Sequence, residues 1–250
     1  MQRWEPSQSL RPYIRSYLVI ENGQEQINRL LPDTTIFMAL RFRGGLYQFG
    51  RELPALSVAG LQKTARLINY VPDSGNVIVQ FETTGAAAFF RLPLHELYGS
   101  QVALGDLAGD SWVSQLEEQL SEIMTISGKI ALIECFLLER LKAQRDPLVD
   151  FSLKKINSTN GLVRIKSLAA DLCISQDALE KRFRRVVGST PKQYTSILRM
   201  KTIVETGRKG NSLTELALAA GFFDQAHFNK DFKLFTGQTP TEFFSVPPLW

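Results

Sequence analysis

The segment Leu168-Ala169-Ala170-Asp171-Leu172-Cys173-Ile174 returns in pattern as Leu216-Ala217-Leu218-Ala219-Ala220-Gly221-Phe222, 48 positions later. After one extra residue in the following turn the offset becomes 49, and the agreement continues. Leu179 then aligns with Phe228, Lys181 with Lys230, Phe183 with Phe232, Gly188 with Gly237, Thr190-Pro191 with Thr239-Pro240 and Tyr194 with Phe243. A register held over so many positions marks a duplicated structural unit, and each copy must fold in the same way.

Each copy reads as a helix with small residues on its inner face, a tight turn, and a second helix with apolar residues four apart. That order is helix-turn-helix grammar. Ala169 and Ala217 let the two helices cross closely, while Cys173 and Gly221 fall where the chain must turn. The pairs Leu179/Phe183 and Phe228/Phe232 anchor the second helix of each unit and leave its other face free. Between the copies, Thr190 can cap a helix that Pro191 opens at its first position and that runs through Tyr194, Ile197, Leu198 and Val204 to Gly207. At 1.5 Å per residue such a helix spans roughly 25 Å, which suits two recognition helices entering successive major grooves about 34 Å apart.

Charge divides unevenly along the chain. Residues 1–150 hold 14 Lys and Arg against 17 Asp and Glu, giving −3, whereas residues 151–250 hold 15 against 8, giving +7. A basic C-terminal part beside a slightly acidic one points to nucleic-acid contact on one side and a separate task on the other. With 250 residues, 44% of them hydrophobic and 22% charged, the chain can bury one large core or two smaller ones. The opening MQRWEPSQSL has no apolar h-region, and no stretch approaches the 18 apolar residues of a membrane span, so a cytoplasmic protein is expected.

Ahead of Asp146-Pro147 the pattern is different. Short β-rich runs occur at Tyr17–Ile20, Thr34–Phe42, Leu56–Ala59 and Val77–Phe81, separated by turn signals such as Asn22-Gly23, Pro32-Asp33, Gly44-Gly45 and Asp73-Ser74-Gly75. Helical spacing follows at Ala86–Phe90, at Val113, Leu116, Leu120 and Ile123, and at Ile130, Ile133, Leu137 and Leu141. Those last two stripes serve either a dimer seam or the cover of their own sheet. The expectation is an α+β chain: a β-rich N-terminal domain over 1–146, built as a cupin-like small barrel or a sheet with helices, followed by an all-helical domain over 147–250. In the latter, Leu148–Ile156 reads as a helix stopped by Asn157-Ser158-Thr159-Asn160-Gly161.

The second copy carries Glu215-Leu216-Ala217, Gly221-Phe222, Asp224-Gln225-Ala226-His227-Phe228-Asn229-Lys230-Asp231-Phe232-Lys233, then Gly237 and Thr239-Pro240. With the tandem arrangement, residues from about Leu148 to Phe244 resemble the AraC/XylS family of transcriptional regulators. Pro12-Tyr13-Ile14 and Gly85-Ala86-Ala87-Ala88-Phe89-Phe90 are similar to the sensor domains of one branch of that family. The resemblance implies a sequence-specific regulator that binds double-stranded DNA, works with RNA polymerase, and answers to a small-molecule effector or partner at its N-terminal domain. Base-reading positions then fall at Asp177, Glu180 and Lys181 in the first unit and at Gln225, Ala226, His227 and Lys230 in the second. Gln225 can pair with adenine, the two lysines can donate to guanine, and Glu180 can accept from cytosine. Arg182, Arg184, Arg185 and Lys233 are placed for phosphates. The carboxylates of Asp177 and Glu180 depart from a basic helix, and each has a cation four residues on, Lys181 and Arg184, so an ordinary helix pair is an equal account of Glu180 and the better account of Asp177. Since one chain carries two recognition helices, a homodimer is compatible with this geometry and not required by it.

Other chemistry is weakly supported. The two histidines, His95 and His227, and the two cysteines, Cys135 and Cys173, offer no closely spaced metal-ligand pairs, and neither a cofactor nor an enzyme activity is expected. His95 reads as a helix-surface residue. Cys135 lies in the apolar stretch Ile133-Glu134-Cys135-Phe136-Leu137-Leu138 and is expected in the core. An alkyl-acceptor repair protein that uses Cys135, and a ligand-binding module whose helix-turn-helix units contact protein, are the alternative functions. Arg41, Arg43 and Tyr47 can point into the β-rich domain and hold an anionic effector, or, being out of phase with the apolar residues of their strand, can face solvent.

Overall fold

The computed structural model describes residues 1–142, 145–207 and 212–245, so positions 208–211 and 246–250 of the expected 147–250 domain lie outside the described residues. Among the described residues ten strands come first in the fold: β1 (Gln2–Trp4), β2 (Ile14–Asn22), β3 (Gln26–Leu30), β4 (Phe37–Arg43), β5 (Leu46–Gln48), β6 (Arg51–Glu52), β7 (Leu56–Ala59), β8 (Arg66–Tyr70), β9 (Ser74–Phe81) and β10 (Gln101–Ala103). Two 3-10 turns, Gly85–Ala88 and Leu94–Leu97, interrupt the chain before β10. The helices are α1 (Gly105–Ala108), α2 (Asp110–Glu122), α3 (Ile126–Arg140), α4 (Pro147–Ser158), α5 (Ile165–Asp171), α6 (Gln176–Val187), α7 (Pro191–Gly207), α8 (Leu213–Ala219), α9 (Gln225–Thr236) and α10 (Pro240–Ser245).

The strands form a six-stranded sheet, β1-β2-β9-β4-β7-β10, and a four-stranded sheet, β3-β8-β5-β6. Neither strand order closes on itself, so of barrel and sheet the second is what the chain builds. Register explains both faces of the larger sheet. Tyr17, Val79, Met38 and Val58 lie side by side across four strands and are buried toward the helices, where the Tyr17 hydroxyl donates to Glu134 of α3 at 3.1 Å. The opposite parity, Ile20, Asn76 and Arg41, faces the small sheet, and Ile20 packs there on Leu46, Ile68 and Tyr70.

Local chemistry shifts several boundaries. β4 starts at Phe37 rather than Thr34 because the Asp33 carboxylate captures the Thr34 N–H at 2.6 Å and turns the chain. Ala86–Phe90, read as helical, forms only the 3-10 turn, whose Gly85 lies so close to the Tyr13 carbonyl that a Cβ would approach it to 1.9 Å. The stripes of α2 and α3 cover their own sheet: Val113, Leu116, Leu120, Ile130, Ile133 and Leu137 are all buried within the chain. Cys135 is a correction. It is exposed, because α3 buries Ile133, Phe136 and Leu137 on one side and turns Cys135 and Leu138 outward. His95 also differs from a surface residue, being half-buried with its Nδ1 covered and unpaired.

One apolar core runs from Leu10 through the larger sheet, α2 and α3 into α4–α10, ending at Phe243. Tyr17 sits in it, and burial together with the Glu134 carboxylate raises its phenol above the ordinary range. A raised folded pKa means that its contribution is intact below the free phenol value of about 10 and is lost as pH rises beyond it. Tyr17→Phe is therefore expected to lower the melting temperature at neutral pH and to flatten its decline between about pH 9 and 11 in thermal melts; an equally steep alkaline limb would contradict this.

Candidate nucleic-acid interface

The two units repeat down to single hydrogen bonds. In the first, Cys173 takes the left-handed conformation, φ 55°, between α5 and Ser175, whose side chain accepts from the Ala178 N–H to cap α6. In the second, Gly221 takes φ 75° between α8 and Asp224, whose carboxylate accepts from the His227 N–H at 2.7 Å to cap α9. Each recognition helix ends on a left-handed glycine, Gly188 or Gly237, with its N–H bonded to Arg184 or Lys233. A reciprocal capping box follows both. Thr190 and Gln193 exchange bonds at 2.8 and 3.1 Å at the start of α7, and Thr239 and Glu242 do so at 2.8 and 3.4 Å at the start of α10. The Thr239 backbone and side chain hold the Glu242 carboxyl below its usual range.

Inner faces are fully covered. Leu179 and Phe183 of α6, and Phe228 and Phe232 of α9, are each 0% exposed. With these sides packed, the remaining side chains must face outward. On α6 the outward set is Asp177, Lys181, Arg182, Arg184 and Arg185, with Glu180 half-buried at its edge. On α9 it is Gln225, Ala226, His227, Lys230 and Lys233. The expected residues of each unit are thus exposed on their helices, apart from half-buried Glu180.

Their electrostatics differ between units. Lys181 pairs with Asp177 at 2.9 Å, as the spacing predicts, but Glu180 accepts from Gln176 at 2.9 Å instead of meeting Arg184. Arg182 reaches back to Asp146 at 2.9 Å, and the other oxygen of that carboxylate caps α4 through Leu148 and Val149. The contact anchors Arg182 to the start of α4. On α9, His227 stands 3.3 Å from Asp231 and edge-on to the Phe222 ring, whereas Lys230 and Lys233 have no ion pair within 4 Å among the described residues.

The N-terminal domain grips both units. Leu94–Leu97 and Gly85–Ala88 pack on α6, Asp33 pairs with Lys201 of α7 at 2.9 Å, and Arg29 donates to the Thr236 carbonyl at the end of α9 at 2.7 Å. Locally Asp33 reads only as a turn residue and Arg29 carries no signal, so neither contact with the helical units is legible in the sequence. Sequence reasoning also passes over Phe223, 97% exposed immediately before the cap of α9, where only the accessibility of the ring draws attention. Arg41, Arg43 and Tyr47 do not converge freely: Arg41 pairs with Glu52 at 2.8 Å, and Arg43 pairs with Glu21 at 3.4 Å and donates to the Asp73 carbonyl. The Arg41 side chain is only 13% exposed, and its Nη1, like the Nδ2 of its strand neighbour Asn76, is buried without a partner.

The arrangement defines a tandem helix-turn-helix domain. Comparison with known proteins agrees: residues 168–245 match the family model described as a helix-turn-helix domain, and residues 2–103 match a domain of unknown function, DUF6597. The HTH-type transcriptional regulator YidL of Escherichia coli, itself uncharacterized, is 35% identical over 78 residues, which is 31% of this chain and 26% of that protein. The Msm operon regulatory protein of Streptococcus mutans is 30% identical over 120 residues, 45% of this chain and 42% of that one. The chain thus spans less than half the length of either relative. Among solved structures, ToxT from Vibrio cholerae aligns with 92% of this chain and 96% of its own at 11% identity and a TM-score of 0.45. Residues 168–245 are thus a helix-turn-helix domain by both sequence match and structure.

The two outward faces generate a differential expectation. Lys230→Ala should cost about 1 to 3 kcal/mol of binding to a preferred duplex and relax its sequence preference, whereas Arg184→Ala should weaken all duplexes alike and reduce the salt slope by about one unit. Titrations against preferred and random duplex over a range of salt check both; equal losses of Lys230→Ala on the two duplexes would remove its base-reading role.

Proposed function

We propose that this protein is a one-component transcriptional regulator that binds double-stranded DNA through both units, in two consecutive major grooves of one face. The observation that carries this is the repeated unit itself, with two capped recognition helices whose inner faces are buried and whose outward faces hold amide and cationic side chains. Gln225, Ala226, His227 and Lys230 read base edges in the second groove. Lys181, Asp177 and Glu180 face the first, while Arg184, Arg185 and Lys233 hold phosphates. Arg182 acts from its pair with Asp146, so it shares its charge with the seam. A protein acting on promoters works where DNA and RNA polymerase are, in the cytoplasm; among the described residues no helix is long and apolar enough to cross a membrane.

The N-terminal domain, 1–146 in this proposal, carries effector control. Support comes from Arg41 and Asn76, neighbours across β4 and β9 that each hold a buried donor without a partner on the face turned toward the small sheet. Unpaired buried donors are costly, and a ligand acceptor placed there offsets that cost. Arg43 stands farther along β4, and Tyr47 lies on β5 of the small sheet.

Selection of bound duplexes from a random pool by the full-length protein at physiological salt tests the DNA-binding function. Two preferred blocks about one helical turn apart are expected; no enrichment by the full chain or by residues 147–250 would overturn it. For the effector, a thermal-shift screen of small organic anions is expected to yield compounds that raise the melting temperature of the full chain and lose that effect in Arg41→Ala. A shift undiminished in the variant would end the role of Arg41.

A further inference from the structure

A cavity lies on the helical side of the N-terminal domain where it meets α6. It encloses about 860 Å3, within the range of small-molecule sites. Its walls come from the segment after the first 3-10 turn, from α1 and α2, from the end of α3, and from Arg185 of the first recognition helix. Backbone ties fix this frame: the Lys142 N–H donates to the Ala88 carbonyl at 2.8 Å, closing the end of α3 onto the turn.

The lining has two characters. Phe89, Phe90 and Trp112 give it aromatic surface, and four cations, Arg91, Arg140, Lys142 and Arg185, face one carboxylate, Glu139, among the described residues. Arg140 is wedged against aromatic rings, its guanidinium carbon 3.4 Å from the Trp112 centroid and 4.2 Å from that of Phe136. Its nearest carboxylate, Glu139, is 3.9 Å away and turned largely to solvent. Cations collected in a concave, partly dry site raise the local potential, and a guanidinium held flat on an indole is already oriented for a planar acceptor.

We propose that this cavity binds an organic anion with a flat apolar body, and that its occupation draws Arg185 away from DNA; the second part rests on the DNA-binding function proposed above. The ligand chemistry is an aromatic carboxylate, sulfonate or phosphate, whose charge meets the arginines while its rings lie against Phe90 and Trp112. Such a ligand touches helices of the N-terminal domain and the first recognition helix at once.

The test uses full-length protein and three probes: anilinonaphthalenesulfonate, the uncharged N-phenylnaphthylamine with the same rings, and inorganic sulfate as charge without a body. Fluorescence titration without DNA is expected to give one saturable site for the sulfonate, with the uncharged dye at least about tenfold weaker and sulfate competing only poorly. Arg91→Ala with Arg185→Ala should weaken the sulfonate dye about tenfold at an unchanged melting temperature. Should that pair melt early, Arg91→Ala with Lys142→Ala replaces it. Equal affinity for both dyes, or sulfonate binding untouched by the substitutions, overturns the site. Saturating dye should then lower the affinity of the wild type for random duplex and leave Arg185→Ala unaffected. If dye binds as expected but duplex affinity does not change, the coupling fails and the site stands. If Arg91→Ala weakens duplex binding without weakening the dye, the cations belong to the DNA path and the ligand site falls. The dye titration contains no DNA, so a chain that binds no duplex leaves its outcome intact.

Discussion

Everything the recognition helices present to solvent depends on one buried phenylalanine in each, Phe183 in α6 and Phe232 in α9. Both are fully covered, and each meets an aromatic ring from the helix that follows: Phe183 meets Tyr194 edge-on at 5.6 Å and 74°, and Phe232 meets Phe243 at 5.5 Å and 77°. Tyr194 and Phe243 are themselves partners in the repeat, so the duplication preserves a contact as well as a pattern. Rings that interlock in this way fix the rotation of a helix about its axis, which decides which side chains face outward. Truncating either ring removes roughly 3 to 5 kcal/mol of packing. Lys181 and Lys230 owe their exposure to that rotation.

The units are equal in local design and unequal in surroundings. The first is pressed against the N-terminal domain along α6, with Gly188 close to Leu94 and Ile36. The second is held through Arg29 at the carbonyl end of α9, where a cation complements the negative end of the helix dipole. With Asp33 on Lys201 of the connecting helix, the N-terminal domain touches all three elements whose spacing sets the distance between recognition helices. A change in that domain therefore has a physical route to the outward surface of both recognition helices: the packed seam at α6, the ion pair on α7 and the hydrogen bond at the end of α9.

How much of this was legible follows from where the information resides. The tandem units could be read because capping, turn and core residues recur in one register, and Cys173 occupies the left-handed position that Gly221 marks in its counterpart. β2, β4, β7 and β9 could be read because their apolar residues alternate over a buried face. β3 and β8 could not: Ile27 and Leu67 point outward, while Asn28 and Arg66 share the parity of buried Ile68, so the apolar signal is inverted. Burial lowers the Arg66 pKa, and that guanidinium donates to Gln101 at 2.8 Å, an arrangement only the fold brings together. The apolar run around Cys135 predicts an inward face, but a helix covering a sheet buries only one side of such a run, and Cys135 lies on the other. The seam residues Arg29, Asp33 and Asp146 act over long sequence separations, which no local pattern encodes.

The division of charge between the units argues for a division of labour. In α6, Lys181 is shared with Asp177 and Arg182 with Asp146, so phosphates approaching that face compete with carboxylates already in place. Exposed pairs such as Lys181 with Asp177 are worth well under 1 kcal/mol and open easily, yet the carboxylate remains close to the duplex and repels it. In α9, Lys230 and Lys233 stand without ion pairs within 4 Å among the described residues; Asp224 caps the helix, Asp231 faces His227, and Glu242 of α10 interacts with Lys233 only from farther off. Docking the second unit therefore breaks fewer existing contacts for each new phosphate or base contact. Under the proposed function, binding energy then comes mainly from α9, while α6, packed against the N-terminal domain, contributes a weaker share. For the regulator proposed above that asymmetry is useful, because the unit packed on the N-terminal domain is the one whose contribution a small shift there can alter.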